Sequence, residues 1–424
     1  MRLSCFVTFL SLAMLNSASL LADFPDLAQL PANPKLPDPL VMFDGRKIDT
    51  KEQWLVERKP ELKALFGHYM YGVRPESLRV ESMKVVREDP RALKGKATLK
   101  EIDIAIAGHP EATIHLLLVT PNSSKGKVPT FVGANFFGNH TVLDDPAIAL
   151  PKGWVPDKVA KSMNNQATEE GRGFQSAAWS IEQNIDRGYA VATFYCGDVA
   201  PDHPGFRDGV FAREERDKRN SHAWGAVSAW AWGIERAVDY LMTDARVDSS
   251  KIVVVGHSRL GKAAILAGAL DDRIAIVTAH QAGCGGTAPS RGKIGESVKQ
   301  INERFPQWFC GEFQGFNNEP EKLPFDQNCL FALVAPRPLL LTNAVGDTWA
   351  NPSGQFEALS AASPVYRLLG VSGLETESMP AVGTLSAGKL GYHIRPGKHS
   401  MLLDDWKVWW DYIERQFDSK SPAQ

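Results

Sequence analysis

Residues 251–262 place the strongest constraint on how this chain can fold. The β-prone apolar run 252–255 leads straight into Gly256-His257-Ser258-Arg259-Leu260-Gly261, and a helix-compatible run, 263–270, follows directly. In a strand-turn-helix unit of this kind, the glycines leave room for a strained backbone that lifts the serine hydroxyl above the sheet. The pattern predicts Ser258 as a nucleophile. The alternative is a small-residue turn that carries an incidental serine.

Strand and helix patterns alternate along the rest of the chain. A hairpin is predicted over 97–107 and 112–119. Further strands are predicted over 128–132, 190–195, 274–278, 338–342 and 391–394, and helices over 50–71, 175–187, 222–242, 354–362 and 404–417. Such alternation indicates a mostly parallel central sheet with helices on both faces, a three-layer αβα sandwich. Together with the serine turn, it predicts an α/β-hydrolase fold.

Residues 23–424 are predicted to form a single catalytic domain with surface insertions near 141–173, 197–220 and 306–330. Residues 1–22 have the pattern of a secretory signal peptide, with an early Arg2, an apolar run over 5–21 and a small residue, Ala22, at the expected cleavage point. A membrane anchor is the alternative, although the run is short for a span. We therefore expect a secreted or periplasmic protein.

The charge and cysteine content exclude several kinds of partner. A net charge of −2 gives no electrostatic reason to expect nucleic acid or an anionic membrane as a partner. Four cysteines follow the signal segment: Cys196, Cys284, Cys310 and Cys329. They form no CxxC pair and lie near no clustered histidines, so no metal site is expected. No cofactor is expected either. One disulfide and buried free thiols both remain open. We expect a monomer.

A serine nucleophile needs a base oriented by a carboxylate, and in this fold the acid and then the histidine follow the serine along the chain. His399 lies in a loop between the last predicted strand and the last helix, where the base is needed. His280 comes too early, and His393 lies inside a strand. Asp347 is the first carboxylate after the 338–342 strand, and an N-cap role for the helix near 353 is its alternative.

Two cations follow the serine. The backbone N–H of Arg259 falls at the usual oxyanion position, and its guanidinium could donate to the same oxygen. Lys262 lies four residues after Ser258, on the same side of the helix start. Together they suggest an anionic or polyhydroxylated substrate. The alternative, a solvated helix-surface charge, fits Lys262 better than Arg259.

An ordered set of motifs resembles one family, the glucuronoyl esterases of carbohydrate esterase family 15. The resemblance extends from about residue 40 to the C-terminus. Its motifs are Gly-His-Ser-Arg-Leu-Gly-Lys at 256–262, Gly-Cys-Gly-Gly at 283–286, Arg-Phe-Pro-Gln-Trp-Phe at 304–309, Leu-Pro-Phe-Asp-Gln at 323–327, Ala-Pro-Arg at 335–337, Asp-Thr-Trp at 347–349 and Lys-His-Ser at 398–400.

The resemblance implies a secreted serine esterase that cleaves the ester between 4-O-methyl-glucuronic acid on glucuronoxylan and a lignin alcohol. It also implies that Lys262, Glu296 and Trp349 hold the sugar. Glu303 competes with Glu296 in the same helix, which is predicted within the loop and helix of 283–305. Fungal members carry the catalytic glutamate in a Gln-Glu-Ser-Gly segment, where this chain reads His-Gln-Ala-Gly at 280–283. The acid role therefore falls to Asp347.

Two other functions stay open from the sequence. One is a different carbohydrate esterase, acting on acetylxylan or methyl uronates with the same three residues. The other is a glycan-binding protein with a decayed active site, against which the complete set Ser258, Asp347 and His399 argues.

Overall fold

A ten-stranded mixed sheet organises the chain in the computed structural model, which describes residues 24–205, 221–292 and 294–418. The spatial order is β1-β2-β3-β5-β4-β6-β7-β8-β10-β9. Within this order, parallel pairing joins six consecutive strands, β5, β4, β6, β7, β8 and β10. The antiparallel strands lie at the two ends of the sheet. The strands are β1 (Val80–Ala92), β2 (Ala97–Ile106), β3 (His109–Pro121), β4 (Val128–Asn135), β5 (Ala190–Tyr195), β6 (Val247–His257), β7 (Ile276–His280), β8 (Leu339–Ala344), β9 (Leu385–Ala387) and β10 (Leu390–Arg395).

Helices cover both faces of this sheet, as the alternating pattern predicts. A continuous helical run over 51–71 includes α1 and α2, joined by wider π-type turns. The α-helices are α1 (Lys51–Gln53), α2 (Lys59–Phe66), α3 (Ser176–Trp179), α4 (Ile181–Asp186), α5 (Cys196–Val199), α6 (Ala226–Leu241), α7 (Arg259–Leu270), α8 (Val298–Arg304), α9 (Gly311–Gln314), α10 (Gln327–Val334), α11 (Pro352–Ala361), α12 (Ser363–Leu368) and α13 (Leu403–Asp418).

The hydrophobic core is divided between the two faces. Along β6, Val254 packs into the cluster that contains α6 and α7, whereas Val253 and Val255 pack into the cluster with α4 and α13. Successive side chains of a strand point to opposite faces, so a strand buried on both sides reads as an unbroken apolar run. The run 252–255 is therefore the inner strand of a three-layer sandwich, as predicted.

Several local predictions differ from the structure. β1 was not predicted, because most of its residues are exposed and polar at this sheet edge. The helix predicted over 175–187 is divided into α3 and α4 by Ser180, whose φ of 46° is left-handed. The crossover 306–330 is less irregular than predicted, since it contains α9 and the start of α10.

The insertions contact the domain closely where they are described. The segment 141–173 has no strand or α-helix in the described structure, yet Val142, Leu143 and Ile148 are buried in the core. The segment 197–220 lies partly outside the described residues, and the predicted signal peptide 1–22 lies entirely outside them. Among the residues that the structure does describe, no helix combines the length and apolar character needed to cross a membrane.

All four cysteines after residue 22 are buried free thiols, so the disulfide that the sequence left open is absent from this described part of the chain. Burial raises the pKa of Cys196, Cys284 and Cys310 to about 12, which keeps these thiols protonated at neutral pH. They act as small apolar core residues.

Candidate active site

The turn at Ser258 has the strained geometry expected of a nucleophile between a strand and a helix. Ser258 has φ 57° and ψ −129°, and it lies between the end of β6 and the start of α7. A Cβ on Gly256 would lie 2.2 Å from the Leu260 carbonyl oxygen, so glycine is required there. The Ser258 amide donates to the His280 carbonyl at 2.9 Å, which ties the turn to the neighbouring strand.

His399 and Asp347 are brought together from two loops at the same sheet edge. His399 Nδ1 lies 2.7 Å from Asp347 Oδ2, and both residues line one cavity with Ser258. Asp347 is 6% exposed, whereas the His399 side chain is 42% exposed and reaches solvent. The N-cap alternative for Asp347 is wrong, because Asn351 caps α11 by accepting from the Gly354 amide at 3.0 Å.

The loop that carries His399 is held on both sides of the histidine. Gln281 Oε1 accepts from the Ser400 amide at 2.9 Å, and Gln281 Nε2 donates to the Lys398 carbonyl at 3.4 Å. The His280 ring fixes the Ser400 carbonyl with Nε2 at 2.8 Å. The sequence does not indicate these roles, because His280 comes too early in the chain for the base and Gln281 only replaces a carboxylate, but both residues position the His399 loop.

His257 lies directly beside the candidate base. Its ring centroid is 4.6 Å from that of His399 and 5.0 Å from that of His280. Burial, with the nearby histidines His280 and His399, lowers the pKa of His257 well below its usual range. His257 is therefore a neutral neighbour of His399.

Arg259 is fixed by contacts that the sequence did not indicate. Its Nε lies 2.7 Å from Asp202 Oδ2, so the two side chains form an ion pair. The Nε–H itself is not aligned for a hydrogen bond. Its guanidinium carbon lies 4.5 Å above the centre of the Phe136 ring. Asp202 also accepts from Trp308 Nε1 at 2.7 Å and from Gln307 Nε2 at 3.1 Å. One carboxylate thus joins the arginine to the aromatic wall of the cavity.

Lys262 is buried, so its interpretation as a solvated surface charge is wrong. Only 4% of the residue is exposed, and its Nζ donates to the carbonyls of Ala282 and Cys284 at 2.5 Å each. Burial lowers the pKa of Lys262, and the nearby Glu296 opposes that effect. Lys262 therefore supports the loop after β7 as well as lining the cavity.

Glu296 and Trp349 also line the cavity, although Glu296 does not lie in a helix as expected. It precedes Ser297, the N-cap of α8, and its amide donates to the Trp349 carbonyl at 2.9 Å. Glu303 lies on α8 with a 62% exposed side chain 3.9 Å from Lys299, and it is not part of the cavity wall. The structure thus favours Glu296 over Glu303 as the residue that faces a ligand.

The cavity formed by these side chains has a volume of about 340 Å³. Its wall carries both signs of charge next to aromatic rings, a composition suited to a hydroxylated, charged ligand. The lining residues are Ser258, Arg259, Lys262, Gln281, Ala282, Gly283, Glu296, Arg304, Phe305, Trp308, Asp347, Trp349, Ala350 and His399.

Comparison with known proteins identifies the family. The chain is 42% identical over 394 residues to a carbohydrate esterase from an unknown prokaryotic organism, covering 92% of this chain and 91% of that protein. It also superposes with a TM-score of 0.85 on a promiscuous CE15 esterase from a marine bacterial metagenome, at 41% identity and with 92% and 99% of the two chains covered. The chain belongs to carbohydrate esterase family 15.

Further relatives of this family 15 esterase carry glucuronoyl esterase names. A glucuronoyl esterase from Solibacter usitatus has a TM-score of 0.83 and 35% identity, with 92% of this chain and 100% of that chain covered. Residues 175–370 match the family model for glucuronyl esterase of fungi. These matches confirm the predicted family, the α/β-hydrolase fold and the class of carboxylic ester hydrolases.

Proposed function

We propose that this family 15 esterase hydrolyses the ester between (4-O-methyl-)glucuronic acid of glucuronoxylan and a lignin alcohol. The observation that carries the proposal is the contact of 2.7 Å between His399 and Asp347, beside the strained Ser258 and at the wall of a charged cavity. A relative from Phanerochaete carnosa, 28% identical over 81% of this chain and 75% of its own length, is named 4-O-methyl-glucuronoyl methylesterase. Its name supports the glucuronoyl part of the proposed substrate.

In the proposed mechanism, His399 takes the proton of the Ser258 hydroxyl while the serine oxygen attacks the uronoyl carbonyl carbon. The negative oxygen that forms accepts a hydrogen bond from the Arg259 amide, which is one of the first N–H groups of α7 and has no partner within the helix. The arginine guanidinium adds positive charge on the same side. His399 then gives its proton to the alcohol oxygen, and the C–O bond to the alcohol breaks.

Water completes the cycle by hydrolysing the acyl-enzyme, with His399 again acting as base and then acid. Asp347 keeps the imidazole oriented and stabilises its protonated form. Lys262, Glu296 and Trp349 hold the sugar in this proposal. The mixed charge of their cavity would match the hydroxyl groups of a uronic acid, and the reaction requires no cofactor.

Localisation is part of the proposal as well. The signal-like pattern of residues 1–22 supports action outside the cytoplasm, where plant polysaccharide is found. The monomer expected from the sequence stays a prediction.

The test is hydrolysis of benzyl glucuronate by the purified protein, measured beside acetylated xylan and a feruloylated substrate. We expect turnover of the glucuronate ester, and its loss in Ser258→Ala. Full activity in that variant would mean that another residue is the nucleophile.

A second function, a broader carbohydrate esterase, is favoured by one comparison, because a relative at 41% identity is described as promiscuous. Hydrolysis of acetylated xylan without hydrolysis of benzyl glucuronate would support that function. Binding of xylan without hydrolysis of any of these esters would instead indicate a decayed, glycan-binding protein.

A further inference from the structure

A buried ion pair joins the two ends of the loop 396–402, which carries His399. Arg395 is the last residue of β10, and Asp405 lies in the first turn of α13, so the two residues flank this loop. Arg395 Nε donates to Asp405 Oδ1 at 2.7 Å, and Nη2 donates to Oδ2 at 3.2 Å. Both side chains are buried. The guanidinium and the carboxylate therefore hold the ends of the loop together at two points.

Both members of the pair also bind the loop itself. Arg395 Nη1 donates to the Pro396 carbonyl at 3.0 Å, and Nη2 donates to the Ser400 carbonyl at 2.8 Å. Asp405 Oδ2 accepts from the Leu402 amide at 2.8 Å. One pair of side chains thus fixes the loop backbone at its start, immediately after the histidine and at its end.

A chain of buried hydrogen bonds reaches the Ser400 carbonyl from the opposite side. The Trp409 indole, which can only donate, has its Nε1 3.1 Å from Thr342 Oγ1. Thr342 Oγ1 lies 2.8 Å from His280 Nδ1, and His280 Nε2 lies 2.8 Å from the Ser400 carbonyl. Burial lowers the pKa of His280, although Asp405 opposes this, so the ring is neutral and has one proton. That proton is on Nε2, because the carbonyl can only accept, and Nδ1 accepts from the Thr342 hydroxyl.

The orientation of His399 depends on this backbone. Its side chain is half-exposed, and its ring makes a hydrogen bond of 2.7 Å to Asp347. A ring that reaches solvent is not held by packing on all sides, so the main chain must place it. A displacement of about 1 Å in a reacting group can lower the rate roughly 100-fold.

We propose that Arg395 and Asp405 are positioning residues for the catalytic base His399. Neither side chain lines the cavity that contains Ser258, so the pair acts through the loop backbone. The two opposite charges are paired with each other, which distinguishes this carboxylate from the acid Asp347. The inference rests on the role of His399 in the proposed function.

The experiment measures kcat and KM of Arg395→Lys with benzyl glucuronate as substrate. Lysine keeps the positive charge but lacks the planar fork, so it cannot contact the carboxylate at two points and both loop carbonyls at once. We expect kcat to fall roughly ten- to 100-fold through misplacement of His399. KM should change by less than about three-fold, because the walls that would hold the sugar are intact.

Arg415→Lys is the matched control. Arg415 makes the same two-point contact with Asp411, at 2.8 and 2.9 Å, on the exposed part of α13. Its variant should keep kcat and KM within about two-fold of the wild type. Asp405→Asn keeps an oxygen that can accept from Leu402 but loses the charge. It should also lower kcat, and it serves if Arg395→Lys folds poorly. Thermal unfolding checks that each variant is folded at the assay temperature.

A His399→Ala background separates positioning from a general loss of structure. If Arg395 acts through His399, Arg395→Lys should change the residual kcat of His399→Ala by less than about two-fold. A fall as large as that in the wild-type background would show a merely structural role and would overturn the proposal.

Two other results would also overturn it. If Arg395→Lys and Asp405→Asn both kept kcat within about two-fold of the wild type, the pair would have no positioning role, and the glucuronoyl esterase function would stand. If His399→Ala kept the turnover of the wild type, His399 would not be the base, and the role of the pair would be lost with that assignment.

Discussion

Replacing Asp347 by asparagine tests the assignment of the catalytic acid. The substitution keeps the size of the side chain and removes its negative charge. In the structure, this carboxylate is 6% exposed and lies 2.7 Å from His399 Nδ1. We expect a large fall in kcat, because an imidazolium formed during the reaction would lose its nearest anionic partner.

The size of the effect follows from the separation and the surroundings. Two unit charges about 4 Å apart interact by about 4 kcal/mol at an effective dielectric constant of about 20. The His399 side chain is 42% exposed, and solvent there screens part of this interaction. A loss of about 2–4 kcal/mol corresponds to a fall in kcat of about 30- to 1000-fold.

The assay is steady-state hydrolysis of benzyl glucuronate by Asp347→Asn, with Glu303→Gln as the matched control. Glu303 is an exposed acid outside the cavity, so its variant should remain within about two-fold of the wild type. If Asp347→Asn stayed near the wild type while Glu296→Gln lost its activity, the acid would be Glu296 and the reasoning would be refuted.

Three further variants test the supporting contacts. Asp202→Asn should lower kcat about ten-fold by loosening Arg259. In an Arg259→Ala background, the same substitution should lower kcat little further. Additive effects of the two substitutions in a kinetic double-mutant cycle would contradict this. Lys262→Met should lower the free energy of unfolding by about 2–4 kcal/mol, because two buried carbonyls lose their donor. Chemical denaturation measures this change. As a control, substitution of an exposed lysine, Lys299→Met, should change the free energy of unfolding by less than about 0.5 kcal/mol. Burial lowers the pKa of His140 to about 4. The unfolded chain therefore gains a proton there before the folded state does, and about 2 kcal/mol of stability should be lost as the pH falls from about 6.5 to 4. His140→Gln should reduce that loss in denaturation measured at both pH values, and an unchanged pH dependence would disprove the role of this histidine.

The sequence was sufficient for the parts of the fold that depend on local patterns. The apolar run before Ser258 and the glycines around it specify a strand and a sharp turn, and both occur at the predicted place. The polar edge strand β1 was missed because neither of its faces is well buried, so its sequence lacks the hydrophobic alternation that marks a strand. Ser180 was missed because its left-handed conformation has no signature in the residue type.

The site also combines features that follow from the sequence with features that depend on packing. The placement of Ser258, Asp347 and His399 around one cavity could be predicted because the order of these residues along the chain follows from the fold. Asp202 could not, since it lies in a loop without periodicity, 57 positions before Arg259, and its role depends on how that loop packs. The burial of Lys262 was also hidden, because a lysine near the start of a helix is usually solvated.

The contacts of Gln281 explain why an amide suits this position better than a carboxylate. At the position where fungal relatives are expected to carry the catalytic glutamate, this chain has a neutral amide that both accepts from Ser400 and donates to Lys398. A carboxylate can accept from the first of these groups but cannot donate to the second. The amide is therefore suited to hold the loop on both sides of His399, while the negative charge comes from Asp347 on the opposite loop. In the proposed mechanism, positioning and charge stabilisation are thus divided between two residues, so we expect substitutions of Gln281 and Asp347 to affect His399 in different ways.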